Sequence, residues 1–290
     1  MEGNGEVAST QKTRSKSIQS RRYQRCISSI PNRLETMKFS SSFALLAVFV
    51  ASVEALISPS ISSHRRGLVQ VQLSSTAAAS VDEEIAQAMN ILYSAAESKA
   101  ADSDAVVAAL LDLEQWSRKK NKENPALADA TLEALGGSGG RSWRLVFTTG
   151  TVDTQKRTGR INYFPIKATQ SFNKNADPWY IENGLYLGDF PAIKFRGDFD
   201  WTMQKSGNTK VTFDFSHILL FNLFDIELKK GEAASLGAKS GLGSKGNVNL
   251  EKQGKRAFFN WISADDRIAT ARGGGGGLAL WKRVDYEGGQ

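Results

Sequence analysis

Arg141-Ser-Trp-Arg-Leu-Val-Phe-Thr-Thr-Gly150 reads as a strand. Side chains alternate across a strand, so Trp143, Leu145 and Phe147 share one face and Arg144, Val146 and Thr148 the other. Ala264-Asp-Asp-Arg-Ile-Ala-Thr-Ala-Arg272, near the end of the chain, reads the same way. The two bracket a region of alternating apolar and polar residues. Ile193, Phe195, Phe199 and Trp201 alternate with Lys194, Arg196, Asp198 and Asp200, and Val211, Phe213 and Phe215 with Thr212, Asp214 and Ser216. Strands with one wet and one apolar face belong to antiparallel sheets. A strand opened by Gly140-x-x-Trp143 and an Arg-bearing closing strand predict a small closed barrel over 141–284. Barrels of about eight strands either fill with side chains or hold one small ligand.

Outward from this core the period changes. Upstream, Ile85, Met89, Leu92 and Tyr93 fall at helical spacing, as do Val106, Leu110, Leu113 and Trp116, so 82–135 is expected to be helical. Asp102 and Asp104 are caps for a second helix. Arg118–Lys122 reads as a solvated charge run, Asn124-Pro125 as a turn, 126–134 as a short helix, and Gly136–Gly140 as a hinge into the sheet. Downstream, Ser206-Gly-Asn208 is a hairpin turn. Ile218–Leu228 is apolar on both faces, facing either core and helices or an outside partner. Residues 229–254 show no clear period and read as a long loop, and Gly273–Gly277 as a hairpin loop without the helix that a phosphate cradle requires.

The N-terminal part is read as an address. Lys38 precedes the apolar run Phe43–Ala51, and Val53-Glu-Ala55 supplies small residues for cleavage, which makes 37–55 a signal peptide. The run is too short to cross a bilayer, which takes roughly 20 residues. Residues 56–81 lack acids and are rich in Ser and Ala, a transit-peptide composition. Signal plus transit peptide implies a plastid reached through the secretory route, with secretion as the alternative. Met37 is read as the initiator, with 1–36 an over-extended start or a real extension.

Charge and metal ligands narrow the function. Residues 1–81 hold ten of the 37 Lys/Arg and four of the 30 Asp/Glu, leaving 27 and 26 in 82–290. The basicity is in the leader, which argues against a nucleic-acid partner for the domain. Cys26 is the only cysteine, and the histidines are His64 and His217. That set builds no disulfide, thiolate metal site or His cluster, and no cofactor is implied.

Trp143-Arg-Leu-Val-Phe-Thr-Thr149 resembles the opening strand of the plastid lipid-associated proteins, or fibrillins. Leu113-Glu114 and Asn124-Pro125 are similar to upstream signals of that family. Ile262-Ser-Ala-Asp-Asp-Arg-Ile268 with Arg272-Gly273 is similar to its closing strand pair. The resemblance spans roughly 105–284, and departs from the family in the 229–254 insertion and the five-glycine loop. It implies a lipocalin-like barrel after a helical segment. It also implies a lipophilic ligand (carotenoid, prenylquinone or fatty acyl lipid), association with thylakoid or lipid-droplet surfaces, and no catalysis.

The expected sites follow. Phe147, Phe195, Phe199, Trp201, Phe213, Phe215, Phe259 and Trp261 form an inward aromatic set that lines a cavity or fills a core. Asp266 and Arg267 orient a ligand head group or form a surface pair. Trp143 seals the barrel floor under a stacked arginine, Arg272 or alternatively Arg283. Two rivals remain open. A structural or assembly factor for photosynthetic membrane complexes would have a packed barrel. A barrel enzyme of cyclase or isomerase type would need an internal acid or base, for which Glu182 and His217 are the candidates.

Overall fold

The computed structural model describes residues 81–239 and 245–285. The leader readings, with Cys26 and His64, lie outside these residues, except that Val81 begins the first helix. Three helices come first: α1 (Val81–Ser98), α2 (Ser103–Glu123) and α3 (Ala126–Gly136). Asp102 caps α2, its carboxylate accepting from the backbone N–H groups of Asp104 and Ala105. Helix α2 runs through the charge run and ends only at Glu123. Lys, Arg and Glu are good helix formers, and cations suit a helix C-terminus. The run is also anchored: Asn121 is buried and donates to the Gly207 carbonyl.

Ten strands follow: β1 (Arg141–Thr148), β2 (Asn162–Tyr163), β3 (Lys167–Asn173), β4 (Tyr180–Leu187), β5 (Phe190–Met203), β6 (Thr209–Leu220), β7 (Phe224–Glu227), β8 (Ala257–Ala264), β9 (Ile268–Gly273) and β10 (Leu278–Val284). Eight of them close an antiparallel barrel in the order β1-β3-β4-β5-β6-β8-β9-β10, with β10 returning to β1. The short β2 and β7 pair on β1 and β6. Closure leaves the eight barrel strands without a free edge.

Short helices fill the connections. Helix α4 (Val152–Thr158), capped by Thr151, was not evident from the periodicity. The 229–254 insertion is not a plain loop, because it carries α5 (Glu232–Lys239) and α6 (Lys245–Lys252). Ile218–Leu228 is not one strand but the β6–β7 hairpin, turning at Phe221 and Asn222, whose φ angles are +56° and +54°. Asn is the one residue there that favours this left-handed region. The Gln204–Asn208 turn between β5 and β6 and the five-glycine turn between β9 and β10 are hairpins as the sequence predicts.

Two apolar clusters divide the core. One lies outside the barrel wall, where Leu92, Val106, Leu110 and Leu113 of α1 and α2 pack on Phe147, Ile262, Ile268, Leu278 and Leu280. The other is the barrel interior, where Trp143, Phe172, Ile181, Phe199, Val211, Phe213, Trp261 and Trp281 meet Leu132 and Leu135 of α3. Helix α3 therefore stops one end of the barrel. The Trp143 indole N–H donates to the Leu135 carbonyl at 2.9 Å, and Arg141 donates to that of Ala134 at 2.9 Å.

Candidate functional site

The barrel interior has two unlike halves. Near α3 it is filled by rings that reach across the barrel. Phe172 on β3 meets Phe199 on β5 and Trp261 on β8 edge-on, with centroids 5.4 and 5.5 Å apart, and Trp261 lies 5.0 Å from Trp281. Edge-to-face contacts of this kind favour a packed core. Small residues make the room, since Ala269, Ala271 and Ala279 take three of the inward positions of β9 and β10 beside Trp281. Toward the opposite end, the inward positions Leu145, Leu185, Phe195, Phe215, Ala257 and Phe259 are only half-buried. Phe215 lies 5.7 Å from Phe195 and 5.1 Å from Phe213, which stacks on Phe259 at 5.1 Å. This half, the mouth end of the barrel, is aromatic-lined and less completely buried than the floor, although Ile193 and Ile218 within it are buried.

Two polar side chains, Gln170 and Asn183, face inward among these apolar residues. Asn183 sits directly across β4–β5 from Phe195 and is half-buried. Its Oδ1 accepts from Gln170 Nε2 at 2.9 Å. With its oxygen engaged, the carboxamide has its N–H₂ group as its remaining polar function, a donor. Two buried atoms near the floor, Gln170 Oε1 and Trp261 Nε1, have no hydrogen-bond partner among the described residues.

The expected site residues divide accordingly. Phe195, Phe199, Trp201, Phe213, Phe215, Phe259 and Trp261 belong to the inward set, with Phe199, Phe213 and Trp261 in the packed half. Phe147 does not. A bulge between Leu145 and Phe147 shifts the β1–β10 register by one residue, so Phe147 turns outward onto α1, α2 and Tyr163. One extra residue inverts the side-chain alternation of the strand beyond it.

The floor is closed differently from the expectation. Arg272 does not cover Trp143. It lies on the outer face with Ile268 and Thr270, where its Nε and Nη2 hold the two oxygens of Glu114 at 2.8 and 2.5 Å. Arg283 is the cross-strand partner of Trp143 but is exposed. The part assigned to a stacked arginine is taken by α3.

Asp266 and Arg267 lie outside the barrel, at the β8–β9 turn on the α3 side. There they border a surface cleft of about 570 Å³ that is also lined by Tyr93, Glu97, Arg141 and Lys282. Arg267 pairs with Glu97 and lies 4.0 Å over the Tyr93 ring. The Tyr93 hydroxyl donates to Asp265 at 2.7 Å, and burial together with that carboxylate pushes its pKa up to about 12. Asp265 also accepts from the backbone N–H groups of Arg267 and Ile268. The Asp-Asp-Arg motif thus fixes the turn and pins α1 to it, away from any inward ligand.

Glu182 and His217, the candidate acid and base, also face outward. Glu182 is buried under Lys194 at 3.1 Å and Arg196 at 2.7 Å, with the Tyr180 hydroxyl at 3.0 Å. His217 is half-exposed and meets Asp225 at 3.1 Å. Neither reaches the interior. Sequence reasoning missed Gln170 and Asn183, although a polar residue at an inward position of each strand was the available signal. Comparison with known proteins gives no match: no family model, curated protein or solved structure is significantly similar to this chain.

Proposed function

We propose that this chain is a non-catalytic binding protein for one lipophilic molecule that carries a polar oxygen at its end. The observation that carries the reading is the split interior, with a packed floor stopped by α3 and a half-buried aromatic mouth at the other end. Apolar pockets with a few placed polar groups are the usual form of such sites. Each Å² of ligand taken from water contributes about 25 cal/mol. Asn183 replaces Asp266 and Arg267 as the group that selects the head. A carboxamide N–H held by Gln170 suits a carbonyl, hydroxyl or carboxyl oxygen, as in prenylquinones, oxygenated carotenoids or fatty acids. This is the ligand class that the fibrillin resemblance implies, and the plastid location rests on the leader sequence alone. The outward positions of Glu182 and His217 weigh against the enzyme reading.

The test is native mass spectrometry of the full chain after exposure to plastid-membrane extract and washing. One stoichiometric lipophilic adduct, lost in Asn183→Leu for oxygenated ligands, supports the proposal. The packed floor also suits the rival structural factor. A clean apo mass, with the protein retained instead on pigment–protein complexes, would select that rival.

A further inference from the structure

The mouth of the barrel is rimmed by two hairpin tips that carry large exposed apolar side chains. At the β4–β5 turn, Leu187 and Phe190 are about half exposed, and at the β6–β7 turn Leu223 is 76% and Phe224 60% exposed. The tips are joined. The Phe221 N–H donates to the Ala192 carbonyl at 3.0 Å, and the Phe190 and Phe221 rings stack at 6.0 Å. Both tips stand at the end away from α3, beyond the half-buried Leu185 and Phe195. A contiguous exposed apolar patch marks a contact site rather than ordinary surface.

We infer that these two tips insert into a lipid surface, so that the mouth opens directly into hydrocarbon. Three observations choose this occupant. The tips are convex turns at the rim of the aromatic-lined, less-buried end, so the patch is continuous with the proposed ligand site. Four side chains offering on the order of 100 Å² each fall well short of the ~800 Å² per partner of a stable protein interface. Lys167 beside the first tip is paired with Asp189, and beside the second tip lies the exposed carboxylate of Asp225, so attraction to an anionic surface is not what holds the tips there. The inference rests on the lipophilic-ligand reading, because it supplies the route by which such a ligand enters.

The experiment is flotation of the full chain with phosphatidylcholine vesicles, in low and high salt. Wild type is expected to float in both. Phe190→Ser/Leu223→Ser/Phe224→Ser, with unchanged circular dichroism and thermal midpoint, is expected to bind roughly a hundredfold more weakly, because three large side chains no longer leave water. The same variant keeps its affinity for a short-chain soluble quinone, whereas Asn183→Leu loses that affinity and still floats. The two readings therefore fail separately. Equal flotation of the rim variant and wild type overturns the inference. So does wild-type binding only to anionic vesicles at low salt, or a dimer that the rim variant dissociates without any vesicle binding by wild type.

Discussion

Glu114→Gln is expected to destabilise the whole domain, although Glu114 lies on a helix and the barrel closes without it. Glu114 is nearly buried, and its two oxygens hold the Arg272 guanidinium from β9 while Arg118 approaches from the next helical turn at 2.5 Å. Burial raises the Glu114 pKa, but its hydrogen bonds and charge contacts with Arg272 and Arg118 outweigh burial and hold it below the usual carboxylate value. The amide keeps the volume and removes the charge. It leaves two arginines facing each other across a partly dry interface. Removing one partner of a buried ion pair costs about 3–5 kcal/mol. Arg272 keeps a quarter of its side chain in water and its bond to the Gly276 carbonyl, so the expected cost falls to about 2–3 kcal/mol, at or below the bottom of that range. For a domain of this size that lowers the thermal midpoint by roughly 5–10 °C. The assay is urea and thermal unfolding of wild type, Glu114→Gln, Arg272→Met and the double variant. The pair should couple by about 2 kcal/mol in the resulting cycle. The pH dependence follows from the sign of the shift. A lowered folded pKa gives stability that is present above the unfolded value and lost as pH falls through the folded one. The gap between wild type and Glu114→Gln should therefore close in acid. Additive single effects, or a single-variant cost below about 0.5 kcal/mol, would refute the claim that this pair ties α2 to the barrel.

Tyr93→Phe should remove one high-pH step from the phenolate absorbance titration. Because the Tyr93 pKa is raised to about 12, its contribution to stability is complete below the unfolded value near 10 and is lost as pH rises toward 12. A lost step near 10 instead of near 12 would show that the Asp265 bond is absent in solution. Gly197→Ala should cost about 1–3 kcal/mol by chemical unfolding, since a Cβ there would meet the Asp214 carbonyl oxygen at 1.8 Å. A neutral result would mean that β5 and β6 are further apart than this. Trp143→Phe should lose about 1 kcal/mol for the bond to Leu135, plus the cost of the space left. Faster amide exchange confined to α3 would accompany it, and uniform exchange would argue against α3 as the stopper.

Alternation made the barrel legible. Inward Phe199, Val211 and Phe213 and outward Asp198, Thr212 and Asp214 are written in the sequence, because a closed sheet has one apolar and one wet face. What alternation cannot show is where it breaks. The β1 bulge leaves Leu145-Val-Phe147 reading as a plain strand, yet it sends Phe147 to the helices. The Phe221 turn was hidden for a related reason, as it lacks Gly and Pro and sits inside an apolar run. Arg272 was recoverable. Ala269 and Ala271 are the inward pair opposite Trp261 and Trp281, and that places Ile268, Thr270 and Arg272 outside, under the helices. Asn183 was legible as a polar residue in an inward slot, but its bond to Gln170 depends on the β3–β4 register, which no local pattern encodes.

The asymmetry of the domain follows from where the helices go. Helices α1 and α2 need an apolar wall, and Phe147, Ile262, Ile268, Leu278 and Leu280 provide it on one side only. Helix α3, joined to α2 by a short turn and to β1 by Gly137–Gly140, has no such wall left and reaches the barrel end instead, with Leu132 and Leu135 turned inward. Once that end is stopped, the aromatic residues beside it are buried, and burial of the inward rings falls toward the far end, where β5 and β6 run on into the rim turns. The half-buried mouth and the exposed tips are thus two results of one arrangement. Helices α5 and α6 join β7 to β8 at this same end, yet they leave Leu187, Phe190, Leu223 and Phe224 exposed.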